Sequence, residues 1–252
     1  MGTLQLDLFP VHFQKSECLT LYDDKPYWRS SPWNGDYFLG VPAKYVGVDN
    51  EFRFMSNDRD GTLDFSFSVA NESLLVHYVL NYDGNLIQKF WNKGSKKWGI
   101  SWQSFMSECD YYGKCGLFGS CNPKHSPICS CLKGFEPKTI HEWSQGNWTS
   151  GCVRRTPLQC SENGSKVDGF LKLKNIKVPD YALWLFSNDQ DDCRSKCLES
   201  CSCLAYAYPM GIGCMLWNGS LIDIQEFSAG GADVFIRLAH SELGDCFNGL
   251  LL

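Results

Sequence analysis

Cysteine can hold a metal, act as a nucleophile or pair into a disulfide, and this 252-residue chain has fourteen of them. Two spacings, Cys193-x3-Cys197 and Cys201-x-Cys203, bring sulfurs close enough to suggest zinc. Structural zinc sites are usually built from Cys-x2-Cys knuckles in a reducing compartment, and no such knuckle occurs. Nucleophilic or acid-base chemistry is most often run by a partnered histidine. The five histidines, His12, His77, His125, His141 and His240, fall in separate segments without ligand spacing, and no Gly-x-Ser-x-Gly elbow is present. Ser56-Asn-Asp58-Arg-Asp60-Gly61 lacks the first carboxylate of a calcium loop and has Phe67 at the position of the bidentate Glu, so it reads as a turn. The sequence therefore predicts no catalytic residue, no metal and no cofactor.

What remains for the cysteines is pairing. Cys109, Cys115, Cys121, Cys129, Cys131 and Cys152 form one block of six, and Cys160, Cys193, Cys197, Cys201, Cys203 and Cys214 form a second; Cys18 and Cys246 are outliers. Even-numbered blocks at module-like spacing are disulfide frameworks, which persist in oxidising surroundings and predict an extracellular location. Modules this small bury too little apolar surface to fold on that alone. A bridge closing a loop of about 15 residues adds about 3 kcal/mol on the chain-entropy account.

Four glycosylation sequons, at Asn71, Asn147, Asn163 and Asn218, agree with a secretory route. The formal net charge of -5 argues against a nucleic-acid partner, which would need a basic face. Short basic clusters, Lys93 with Lys96 and Lys97 and Arg154 with Arg155, read as solvated loops. No apolar stretch is long enough to cross a bilayer. Met1 to Lys15 has no secretory signal pattern, which leads to the expectation that a leader lies upstream of an excerpted or incomplete chain.

The elements that must carry the cysteines are mostly β. In the cysteine-poor stretch Trp28 to Ser107, Phe65-Ser-Phe67-Ser-Val69 and Trp98-Gly-Ile100-Ser-Trp102 alternate, predicting strands that each bury one face. Leu74 to Leu80 and Leu86 to Trp91 flank Asn81-Tyr-Asp83-Gly84-Asn85, a hairpin turn in which Asp-Gly supplies positive φ. Aromatics at period two could stack on sugar, but in a small sheet they read first as core. One helix follows Ser187-Asn188-Asp189, with Cys193, Cys197 and Cys201 every fourth residue and so on one face. Strands are predicted over Gly169 to Val178, Cys203 to Tyr208, Gly213 to Trp217 and Asp233 to Leu238.

Cys129-x-Cys131-Leu-Lys-Gly134-Phe135 resembles the second half of an epidermal-growth-factor-like module, where the glycine permits a left-handed turn and the aromatic packs over the bridges. Spacing alone leaves 15 connectivities for six cysteines. The resemblance implies Cys109–Cys121, Cys115–Cys129 and Cys131–Cys152, and with Glu108 as the only acid just before the first cysteine, no calcium. The helix and strands after it resemble a PAN or apple domain, which implies Cys193–Cys214 and Cys197–Cys203 and leaves Cys160–Cys201 by elimination. Tyr27-Trp28-Arg29-Ser30-Ser31-Pro32-Trp33-Asn34-Gly35 resembles the motif opening the S-locus glycoprotein domain of plants, where Gly usually stands at the position of Ser31. Cys109 to Cys121, Gly134-Phe-Glu-Pro137 and Trp148 to Arg155 continue the match, which covers about 90% of the chain, from Tyr27 to Glu242.

The chain is thus similar to the extracellular part of plant S-domain receptor-like kinases and to secreted S-locus glycoproteins. The fold expected is mostly β, disulfide-rich and modular: a lectin-region remnant or linker over 1–26, an antiparallel S-locus glycoprotein segment over 27–107, an EGF-like module over 108–153, a PAN/apple domain over 157–240 and a tail over 241–252. The family's lectin domain and kinase are not in this chain, which has no Gly-rich loop, His-Arg-Asp or Asp-Phe-Gly. The function implied is non-catalytic recognition, secreted or at the outer face of the plasma membrane: binding a secreted protein or peptide, or pairing with another S-domain ectodomain, in pollen recognition, surface signalling or defence. A soluble decoy or glycan binder, and a truncated product without function, are the competing readings. Asn50 to Gly61 and Pro209 to Gly213 are the expected contact loops.

Overall fold

The computed structural model describes the backbone of residues 4–9, 17–41, 50–57, 62–69, 75–160 and 168–243, with side chains at 17–41, 75–160 and 168–243. Asn71, Asn163, Cys246 and residues 58–61 lie outside the described residues. The chain divides into two compact units, Met1–Tyr112 and Gly113–Leu252.

Among its described residues every strand pairing of the first unit is antiparallel. β1 (Leu4–Phe9), β2 (Glu17–Tyr22) and β3 (Lys25–Arg29) form one sheet, and β4 (Asn50–Asn57) pairs with β5 (Thr62–Val69). β6 (Val76–Leu80), β7 (Leu86–Asn92) and β8 (Lys97–Gln103) form a third sheet in sequence order. The β6–β7 turn is the one the sequence predicts. Asn81 and Asn85 close it with an N–H to carbonyl bond of 2.9 Å, and Gly84 has φ 81°. Cys18, Trp28, Trp33, Phe38 and Val41 form a buried cluster against which Trp102 and Phe105 pack. Alternation does not bury a whole face of β8, however. Trp98 and Ile100 are exposed, because β8 is the edge of a three-stranded sheet and the face they share is left to solvent.

In the second unit, β9 (Gly119–Cys121) and β10 (Cys129–Cys131) form a hairpin, and β11 (Phe135–Pro137) pairs with β12 (Cys152–Arg154) across the short α1 (Ile140–Ser144). There follow β13 (Asp168–Lys177), β14 (Leu183–Leu185), α2 (Gln190–Glu199), β15 (Ala205–Ala207), β16 (Cys214–Trp217), β17 (Ile224–Glu226), β18 (Ala232–Ala239) and α3 (His240–Leu243). One eight-stranded sheet runs β10-β9-β17-β13-β18-β15-β16-β14. Its only parallel pairing, Ile224 and Gln225 of β17 with Ser120 and Cys121 of β9, carries the EGF-like hairpin onto the edge of the sheet packed by α2. Sequence reading treats these as separate modules; in the structure a single sheet passes through both.

Asp189 caps α2, its carboxylate accepting from the Asp192 N–H at 2.8 Å. The helix ends at Glu199, and Ser200 is extended (φ -109°, ψ 121°). Cys201 therefore does not continue the helical stripe of Cys193 and Cys197, which corrects the expectation from its four-residue spacing. Those two are fully buried, whereas Cys201 is exposed.

Candidate functional site

The strongest chemical feature of the second unit is its set of cross-links. Cys115–Cys129, Cys131–Cys152, Cys193–Cys214 and Cys197–Cys203 are disulfides with Cα separations of 5.4, 5.8, 5.5 and 5.2 Å, within ordinary bridge geometry. Cys109 and Cys121 are disulfide-bonded as well. The sulfurs of Cys115, Cys121 and Cys129 lie within 4.8 Å of one another, close enough to suggest a metal site. All three are in disulfides, so none offers a thiolate.

Cys160 and Cys201, the pair left over by elimination, are not bridged. Both are free thiols, each turned toward the other's carbonyl at 3.8–3.9 Å. The Cys160 sulfur instead accepts from Arg237 Nη2 at 3.6 Å, and burial, then the Cys201 contact, pushes its pKa up to about 11. Cys18 is a third free thiol. Burial, with the neighbouring Glu17 charge, pushes it up to about 12, so it stays protonated and inert.

Around the bridges the core is aromatic. Tyr206 stacks on Phe235 with centroids 4.6 Å apart and meets Phe170 edge-on at 4.8 Å, beside Cys193, Cys197, Cys203 and Cys214. Two ion pairs inaccessible to solvent fix the strands. Lys177 Nζ lies 2.8 Å from Asp223, and Arg237 lies 3.1 Å from Asp168. Arg237 also donates to the carbonyls of Cys197 and Ser200 at 3.2 and 2.8 Å, satisfying the C-terminal end of α2 with a cation. Sequence reading singled out none of these four residues. The pairs are far apart along the chain, and isolated charges in strands give no local signal.

On this frame the β14 edge is apolar and open. Leu183 and Leu185 point outward, Phe186 is 86% exposed and Tyr181 is also exposed. The loop Pro209 to Gly213, one of the two expected contact loops, joins β15 to β16 and so lies beside the end of β14, since Leu185 pairs with Cys214. The N–H groups of Ile212 and Gly213 both donate to the Pro209 carbonyl at 3.1 Å, holding Met210 outward at 90% exposure. The Tyr208 hydroxyl, 3.3 Å from the Asn188 carbonyl, ties this loop to the α2 cap. The other expected loop has its strand β4 in place, but its side chains are outside the described residues. Of the described sequons, Asn147 and Asn218 are exposed, and the Thr149 hydroxyl donates to Asn147 Oδ1 at 2.7 Å.

Comparison with known proteins matches residues 28–139 to the S-locus glycoprotein domain and residues 160–224 to the PAN-like domain. This chain carries an S-locus glycoprotein domain and a PAN-like domain. The relatives of this S-domain chain include three G-type lectin S-receptor-like serine/threonine-protein kinases of Arabidopsis thaliana. They are 46% identical over 218 residues (86% of this chain, 26% of the relative), 44% over 239 (92% and 28%) and 40% over 248 (96% and 29%). The S-domain chain thus spans little more than a quarter of those relatives, and neither matched domain is a kinase domain. Among its described residues no helix is long and apolar enough to cross a membrane.

Proposed function

We propose that this S-domain chain is a non-catalytic extracellular recognition region that binds a secreted protein or peptide, or a second S-domain ectodomain, along the β14 edge. The observation that carries the reading is the open apolar edge formed by Leu183, Leu185 and Phe186 with Met210 beside it, on a sheet whose core is bridged. An edge strand presents unpaired backbone groups, and a partner strand added there gains main-chain hydrogen bonds plus contact with the outward side chains. Contiguous exposed apolar surface on a secreted domain marks such contacts. The relatives' names describe receptor-like kinases, which suggests that binding is reported across a membrane by a segment outside this chain. Asn147 and Asn218 are both exposed, and Asn218 follows β16 two residues beyond Leu216, the register partner of Leu183, so a glycan there would flank the Leu183 end of the edge rather than its Leu185 end.

The test is a binding screen of the purified chain against secreted peptides and sister ectodomains, repeated with Leu185→Asp and Phe186→Ser. Binding that falls at least tenfold in both variants, with an unchanged thermal midpoint, supports the edge. A protein ligand indifferent to both variants overturns it.

A further inference from the structure

From Gly84 to Ser107 the chain has no acidic residue and four lysines, Lys89, Lys93, Lys96 and Lys97, in a protein of net charge -5. These residues build β7, β8 and the turn between them. Register places Lys89 on an aromatic face: Trp91 is opposite Trp98, Lys89 is opposite Ile100, and His77 of β6 is opposite Lys89, so these five side chains share one side of the sheet, while Lys97, opposite Asn92, is on the other and Lys93 and Lys96 lie in the turn. Trp98 is 46% and Ile100 56% exposed. The Trp98 ring is already held in place, edge-on to His77 at 4.4 Å and to Trp91 at 5.5 Å. Among the described residues none of the four lysines is in an ion pair, whereas Lys172, Lys177 and Lys196 of the second unit each hold a carboxylate.

We infer that this face is a docking surface for an acidic polysaccharide, a sugar chain carrying carboxylates on its rings as in a polyuronate. A flat, pre-positioned indole takes the C–H face of a sugar ring, and Lys89 on that face, with Lys93 and Lys96 in the turn, meets the carboxylates. A run of aspartates and glutamates would use the lysines but brings no ring to place on Trp98. An anionic bilayer would use both, but it favours a continuous apolar face that can be immersed, and here Lys89 interrupts the row between His77 and Ile100. Unpaired cations above an apolar patch also give long-range attraction that salt would weaken.

The full chain, with its bridges formed, is titrated against immobilised oligogalacturonate, its methyl-esterified counterpart, polyglutamate and anionic phospholipid vesicles. The expected result is binding to oligogalacturonate alone, weakening as salt is raised. The combined variant Lys89→Gln, Lys93→Gln and Lys96→Gln should weaken it by about tenfold, on the scale of a few exposed charge pairs. Trp98→Ala should weaken it at low and high salt alike; Ile100→Ser, on the same face, takes its place if that variant fails to fold. Equal binding to the esterified oligomer, equal or tighter binding to polyglutamate or vesicles, or no binding to oligogalacturonate overturns the inference. The site lies wholly in the first unit, so either outcome leaves the β14 reading untouched.

Discussion

The β6–β8 sheet and the eight-stranded sheet handle polarity in opposite ways. Inside the former, buried polarity is neutral: the Gln88 amide donates to the Tyr78 hydroxyl and accepts from Ser101 at 2.7 Å, and Asn85 accepts from Ser104 and from the Phe105 N–H. Its charges stay at the surface without ion-pair partners among the described residues. The latter buries Lys177 with Asp223 and Arg237 with Asp168, and has cystines in its core. Neutral networks can be satisfied by short side chains within one hairpin. Buried charges must be brought together from distant strands, and such a pair tolerates the loss of neither partner. One sheet is therefore free to spend its cations on a ligand, and the other is committed to holding its own shape.

The largest expected effect breaks the committed side. Asp223→Asn keeps a side chain that tolerates the left-handed φ of 62° but leaves Lys177 buried and uncompensated, and should cost about 3–5 kcal/mol by chemical denaturation. Lys93→Gln, removing the same charge from the β7–β8 turn, should change stability by less than about 0.5 kcal/mol. Replacing Cys193 and Cys214 together by Ala opens a loop of sequence separation 21 and should cost about 3 kcal/mol, whereas loss of Cys197–Cys203, separation 6, should cost about 2. Hydrogen exchange should place both losses in β15, β16 and α2 and leave β6–β8 protected.

A smaller effect has the opposite sign. Ser31 has φ 57°, and its buried hydroxyl has no hydrogen-bond partner, so Ser31→Gly should stabilise the first unit by about 0.5–1 kcal/mol, seen as a higher denaturation midpoint. The smallest effect is a titration. The Asn188 N–H, then Lys196, hold the Asp192 carboxyl below its ordinary range. Its contribution to the α2 start is thus present above the ordinary carboxylate pKa of about 3.9 and lost as pH falls through the lowered one. Carboxyl-carbon NMR should show Asp192 titrating below the ordinary aspartate range, and Lys196→Gln should move it back up.

Much of the frame was legible because its signals are local. Alternation and Asp83-Gly84 marked the β6–β7 hairpin, Asp189 marked the start of α2, and Gly134, with φ 83°, sits where a left-handed turn was expected. Ser31 is the informative departure: the motif's usual glycine and the observed positive φ agree, and the serine carries the strain. What stayed hidden depends on packing. Four-residue spacing put Cys201 on the helix, but α2 stops two residues earlier, and period two buried Trp98 and Ile100 on a face that the fold leaves open. The β14 edge was unreadable in advance, since Leu183-Trp184-Leu185 alternates in the same way whether its leucines face core or solvent.

The parallel junction of β17 with β9 sets a length scale. From β10 to β14 the sheet has eight strands and hence seven intervals of about 4.8 Å, roughly 34 Å measured along the sheet and less in a straight line once it twists. A short peptide strand that zips onto one rim covers only that rim. A molecule clasping both rims at once must therefore be an extended chain or a folded domain of that breadth, and the hydrogen-bonded plank between them works as a gauge for partner size.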